Sequence, residues 1–203
     1  MEITKKLEER SRNERIIDLL NEVGMLRHTP RTGYQFLGTG KENVAEHSYR
    51  TAVIGYVLAT LAGADKARVT FLCLFHDLHE ARTGDFNYVN HIYNSTRART
   101  ALEHATAGTG LEEDILPLWD EMTQADSLEA RLAHDADQLD LLLNLKAESD
   151  KGNAFADDWI DSAIQRLKSP EAQELAAVLR HINHNEWWYV GTETSWWASR
   201  HGE

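Results

Sequence analysis

Apolar positions along this chain recur at the three-to-four-residue spacing of amphipathic helices, punctuated by glycines and capping residues. Residues 3–23 carry Leu7, Ile16, Ile17, Leu20 and Val23 among many charges, with Gly24 suited to a C-terminal stop. From Met25 to Lys41 come Pro30, Gly33, Gly38 and Gly40, a pattern that predicts a long loop. Asn43, with Glu46 three residues later, reads as a capping box opening a second helix that stops at Gly63. Asp65 caps a predicted third helix that runs through Leu78 or Arg82 and ends before Gly84. Further helices are predicted over about 95–107, 111–123, 127–149 and 155–168. Ser169-Pro170-Glu171, an N-cap followed by proline at the first helical position, opens a last helix toward His184. Sustained two-residue alternation and Asn-Gly or Asp-Gly hairpin turns are missing, so the predicted fold class is all-α. No repeat, low-complexity tract or Pro/Gly/Ser-rich linker divides the chain, which reads as one domain over residues 1–203.

Composition narrows the classes of function. Apolar residues are 42% of the 203, enough for a real core, and charged residues are 27%. The formal charge of −12 repels a polyanion over most of the surface and argues against a nucleic-acid polymer as partner. A small phosphate ester stays compatible where cations are concentrated locally. The longest apolar stretch, Ala52 to Ala62, is too short to cross a bilayer, and the charged start Met1-Glu2-Ile3-Thr4-Lys5 lacks the apolar run of a signal peptide. A single cysteine, Cys73, inside the run Phe71 to Phe75, is expected to be a buried core residue in a reducing compartment. These features predict a cytoplasmic protein. The aromatic tail, with Trp187, Trp188, Tyr189, Trp196 and Trp197, lacks helical spacing and is expected to pack over the core or a partner chain.

The candidate chemistry lies with histidines and carboxylates. His76 and Asp77 are adjacent at the end of an apolar helix, where a buried unpaired carboxylate would cost several kcal/mol and therefore calls for a metal or another cation. His47 lies in the first turn of the second helix. A further acidic candidate comes from His134-Asp135-Ala136-Asp137-Gln138-Leu139-Asp140, on a helix whose expected core stripe is Leu132, Ala136, Leu139 and Leu143. Helix spacing does not choose among Asp135, Asp137 and Asp140.

In order, His47, the His76-Asp77 doublet and the distant Asp137 resemble the H…HD…D pattern of the HD-domain superfamily. Pro30-Arg31-Thr32-Gly33-Tyr34 followed by Val44-Ala45-Glu46-His47-Ser48 is similar to the branch containing HD-domain-containing protein 2 of animals. His76-Asp77-x-x-Glu80 and Thr83-Gly84-Asp85 resemble the same branch and the bacterial 5′-deoxynucleotidases. The resemblance spans about residues 12–180, leaving the tail from about 186 to 203 outside it.

The resemblance implies an HD-domain helical bundle and a metal-dependent phosphohydrolase, with His47, His76, Asp77 and Asp137 as metal ligands. It thereby selects Asp137 over its neighbours. Mixed nitrogen and oxygen ligands suit one divalent ion, with Mn²⁺, Fe²⁺, Co²⁺ or Ni²⁺ favoured over Zn²⁺ and Mg²⁺ also compatible. It further implies a 5′-nucleotidase acting on (deoxy)nucleoside 5′-monophosphates through a metal-activated water. Arg31 would clamp the phosphate, Glu80 would handle the water's proton, and Asp85 would hold a sugar hydroxyl or protonate the leaving oxygen. Thr32 stands where the bacterial enzymes carry tryptophan, which argues against strict deoxyribose selectivity and leaves Tyr34 as a substitute aromatic wall. A competing expectation is a two-metal HD oxygenase or hydrolase recruiting His79 and His104. The family also implies a homodimer.

Overall fold

The computed structural model describes residues 9–188. Among these, all regular secondary structure is helical, and extended pairing is limited to one isolated bridge between Pro30 and Asn43. The helices are α1 (Arg12–Met25), α2 (Tyr34–Leu37), α3 (Val44–Ala62), α4 (Lys66–Phe75), α5 (Glu80–Thr83), α6 (Tyr88–Tyr93), α7 (Ala98–Thr106), α8 (Glu112–Gln124), α9 (Leu128–Asp150), α10 (Ala154–Ile164) and α11 (Pro170–Leu179). The longest, α9, is the hub, packing on α3, α4, α8, α10 and α11. Its buried Leu132, Ala136, Leu139, Leu142 and Leu145 fill the main core together with Leu58, Val69, Leu72 and Cys73 of α3 and α4. Of the stripe expected there, Leu143 instead turns outward at 38% exposure, because the buried face follows Leu142 and Leu145.

The predicted caps form. Asn43 and Glu46 make the reciprocal capping box of α3, Asp65 caps α4, and Ser169 caps α11. Four boundaries differ from expectation. The first described helix starts at Arg12 behind a Ser11–Glu14 capping box, and Gly24 does not stop it: α1 passes through Met25 into a 3₁₀ turn at Leu26–His28. Residues 3–8 of the predicted span lie outside the described residues. The core side of α1 is Arg15 and Leu19, whereas Ile17, Leu20 and Val23 are exposed. Arg15 earns its burial by donating to the carbonyls of His104, Ala105 and Ala107 at the end of α7, where a cation complements the helix dipole.

The third predicted helix breaks after Phe75. The His76 Nδ1 donates to the Cys73 carbonyl at 2.7 Å, taking the acceptor that the Asp77 amide would use in a continuing helix. The chain turns over residues 76–79 and resumes as the single turn α5. The last predicted helix closes at Leu179, short of His184; α2 arises in the segment read as loop, and α6 in a stretch for which no element was predicted. The 25–41 loop is closed by Arg31 N–H donating to the Glu42 carbonyl and Val44 N–H to the Thr29 carbonyl. Gly40 permits this closure: its φ is +78°, and a Cβ there would meet the Tyr34 ring at 2.8 Å. Of the aromatic tail, the described Trp187 is 82% exposed and so does not pack on the core, while Trp188 donates to Asn185; Tyr189, Trp196 and Trp197 lie outside the described residues. No described helix is long and apolar enough to cross a membrane.

Candidate functional site

The break after α4 aims His76 and Asp77 at the start of α3 and the middle of α9. His47 Nε2 lies 3.3 Å from His76 Nε2, 3.2 Å from Asp137 Oδ1 and 3.5 Å from Asp77 Oδ2; His76 Nε2 lies 3.1 Å from Asp77 Oδ2. The ligand atoms of His47, His76 and Asp137 all fall within 4.8 Å of one another. The four residues of the expected ligand set therefore converge.

Hydrogen bonding prepares both imidazoles for a cation. The His47 Nδ1 donates to Asp140 Oδ2 at 2.7 Å, and the His76 Nδ1 donates to a carbonyl, which can only accept. Both Nε2 atoms are thus left with lone pairs, facing each other across 3.3 Å beside two carboxylates. Two lone pairs at that distance repel unless protons or a metal ion lie between them. Burial opposes a charge on His47, yet its bonds to Asp137, Asp140 and Asp77 outweigh burial and raise its pKa well above the ordinary value. Burial likewise opposes ionisation of Asp137, but the His47 bond and the nearby His76 and Arg31 hold it far below the usual carboxylate range. Two imidazoles and two carboxylates with these preferences fit a divalent ion with mixed N/O ligation.

The three aspartates on α9 separate here. Asp137 faces the histidines. Asp135 is buried and accepts from the amides of Lys168 and Ser169, fixing the turn before α11. Asp140, fully buried, lies behind His47 and also accepts from the Arg50 guanidinium, which in turn reaches Glu42. This Asp140–Arg50–Glu42 support was not assigned from sequence. Its only signal was spacing, with Asp140 three residues past Asp137 and Arg50 three past His47, one helical turn in each case.

Arg31 reaches across the site's mouth. Its Nη1 lies 3.3 Å from both Asp77 Oδ2 and Asp85 Oδ1, and its Nη2 is 3.9 Å from Asp137 Oδ1. Asp85 also accepts from the Thr32 amide at 2.6 Å and the Thr32 hydroxyl at 3.1 Å, anchoring the loop that carries the arginine. Glu80, at the start of α5, has a buried Oε2 with no hydrogen-bond partner among the described residues. Burial first, then the charges of Asp77 and Asp85, push its carboxyl up to about 9, with Arg31 offsetting part of the rise. Beside these groups opens a cleft of about 200 Å³ lined by Arg31, Tyr34, Asp85, Tyr88, Asp137 and Trp159. Tyr34 was anticipated as a wall. Tyr88 and Trp159 were not, because α6 and α10 reach the cleft only through the tertiary fold.

His79 and His104 do not join this cluster. The His79 ring sits edge-on to Trp119, and among the described residues the histidine–carboxylate groups close enough to share an ion include neither. The second such group is Glu42, His47 and Asp140, the support of His47 already described.

A family model for the HD domain matches residues 23–179. Bovine (Bos taurus) 5′-deoxynucleotidase HDDC2 is 28% identical over 172 residues, 81% of this chain and 83% of that protein. Among solved structures, a conserved hypothetical protein from Pyrococcus furiosus superposes with a TM-score of 0.65 at 25% identity, covering 82% of this chain and 99% of the other. A protein from Magnetospirillum magnetotacticum described as a predicted metal-dependent phosphohydrolase shares the fold, with a TM-score of 0.66 at 23% identity over 84% of this chain and 94% of that one. With the family match running from the end of α1 to the end of α11 and the histidine–aspartate cluster assembled within it, this chain belongs to the HD-domain family.

Proposed function

We propose that the protein is a metal-dependent phosphomonoesterase that hydrolyses (deoxy)nucleoside 5′-monophosphates to nucleoside and phosphate, with one divalent ion held by His47, His76, Asp77 and Asp137. One observation carries the reading: a guanidinium, Arg31, held at the mouth of a histidine–carboxylate cluster that opens into an aromatic-walled cleft. A bound divalent ion would supply Lewis acidity and a more acidic water. Arg31 grips the phosphate oxygens with its planar fork and offsets their charge. Asp85, already accepting from Thr32 and Arg31, serves by holding the clamp in place, a better fit to its contacts than proton donation. Glu80 takes the proton of the water that attacks phosphorus. As the P–O ester bond breaks, that proton becomes available to the departing 5′ oxygen. A cation beside Asp77 opposes the carboxylate repulsion that raises Glu80, favouring its basic form. Tyr34, Tyr88 and Trp159 offer faces for a base or sugar; Thr32, tied to Asp85, offers none, so both ribose and deoxyribose substrates are expected.

Phosphate release from a panel of ribo- and deoxynucleoside monophosphates, with each divalent metal in turn, tests the reading. Release is expected with Mn²⁺, Fe²⁺, Co²⁺ or Ni²⁺ at one ion per chain and is abolished by chelation. Arg31→Ala should raise KM and lower kcat/KM. A metal-loaded protein that releases phosphate from none of these nucleotides overturns it.

A further inference from the structure

A second cleft, about 550 Å³ in volume, lies on the other side of Gln138, a residue that lines both cavities. One wall is a single face of α9, where Arg131, His134, Asp135 and Gln138 stand at i, i+3, i+4 and i+7. The other wall is Gln165, Arg166 and Lys168, the segment between α10 and α11. Asp135 joins the walls, but both its oxygens are taken by the Lys168 and Ser169 amides, at 2.9 and 2.6 Å.

The charge here runs against that of the whole molecule. In a chain of net charge −12, cations such as Arg68, Arg82 and Arg99 sit against carboxylates. Arg131, Arg166 and Lys168 have no carboxylate partner among the described residues. Arg131 donates to the Asp126 carbonyl at 3.0 Å. Arg166 donates to the Tyr88 hydroxyl, its Cζ 5.7 Å from the centroid of that ring, and its Nε is buried without an acceptor. The Gln138 Oε1 is likewise buried without a donor. Three cations around one cavity, with no carboxylate paired to them among the described residues, make it locally positive and favour an anion.

We propose that this cleft is a second anion site, separate from the Arg31 cleft, that binds a phosphorylated small molecule of nucleotide size. A volume of about 550 Å³ far exceeds a lone phosphate and falls in the range of small-molecule sites. Arg131, Arg166 and Lys168 take the phosphate oxygens, and Gln165 the polar edge of the remainder. Tyr88, which lines the first cleft, holds Arg166 in position at the second.

Calorimetric titration of the full chain with the β,γ-imido analogue of ATP tests the proposal. The wild-type protein and Arg31→Ala should both retain this binding event. The double variant Arg131→Ala/Lys168→Ala should bind there at least about tenfold more weakly for each cation removed. Its metal-dependent hydrolysis of p-nitrophenyl phosphate should be unchanged, and an unaltered melting curve should confirm that it folds. The proposal is overturned if Arg31→Ala binds no analogue at millimolar concentration, or if the double variant matches wild type in affinity and stoichiometry.

Discussion

Asp140→Asn is the most discriminating perturbation of the proposed metal site, because it changes no shape and removes one charge. In the structure one carboxylate oxygen accepts from His47 Nδ1 at 2.7 Å and the other from Arg50 Nε. An asparagine has a single acceptor. Turned toward His47, it sets its NH₂ against the Arg50 donor. Turned toward Arg50, it sets the NH₂ against His47 Nδ1 and drives the imidazole proton onto Nε2, the atom that faces His76 and Asp137. Arg50 is partly solvent-exposed and has other acceptors at Glu42 and the Asp140 carbonyl, so the second arrangement costs more at the cluster and the first costs less overall. In either case His47 loses its charged partner. Losing such a support behind a metal-bound histidine weakens metal affinity by about 10–100-fold, or about 1.4–2.8 kcal/mol. The assay is competitive metal titration against a fluorescent chelator, paired with phosphate release as metal is raised. Expected are a shifted metal affinity and activity that recovers at high metal. Asp135→Asn, which disturbs only the turn before α11, should keep wild-type metal affinity. Equal affinities for wild type and Asp140→Asn would refute the reasoning.

Three further outcomes are expected. Glu80→Gln should lower kcat by about 10²–10⁴-fold with nucleotide affinity largely kept. In the metal-free protein, Glu80 is raised from 4.5 to about 9 by burial and by Asp77 and Asp85, so the native state holds a proton that the unfolded chain releases above 4.5. Its contribution to stability is therefore full below about pH 4.5 and declines as pH rises toward 9; Glu80→Gln should flatten that decline in urea melts, and an unchanged pH dependence would count against it. Sedimentation at micromolar concentration is expected to show a homodimer, which the charge-free surface formed by Val53, Val57, Leu143, Leu175 and Val178 supports; a clean monomer would refute it.

Helices were legible wherever capping chemistry is local. Asn43 with Glu46, Asp65, and Ser169 before Pro170 each set a start from residues within one turn, and each is observed. Ends and faces were less legible because distant groups decide them. Gly24 fails to stop α1, and the helix turns its Arg15 side inward because the α7 carbonyls, about ninety residues away in sequence, need a donor. The break after Phe75 comes from a side chain, His76, bonding back to a carbonyl that pattern reading assigns to the helix.

The same contrast governs the site. Residue types within a motif can be read in sequence, as the His76-Asp77 doublet was. Function among identical residue types on one helix cannot, since Asp135, Asp137 and Asp140 share composition and surroundings in sequence and differ only in what the fold brings to them. Asp135 meets two amides at the start of α11, Asp137 meets the Nε2 of His47, and Asp140 meets the back of His47 and the Arg50 guanidinium. A helix turns 100° per residue, so steps of two and three residues point the three carboxylates toward three different neighbours. Their chemistry belongs to those neighbours, which is why one anchors a loop, one faces the histidines, and one fixes an imidazole from behind.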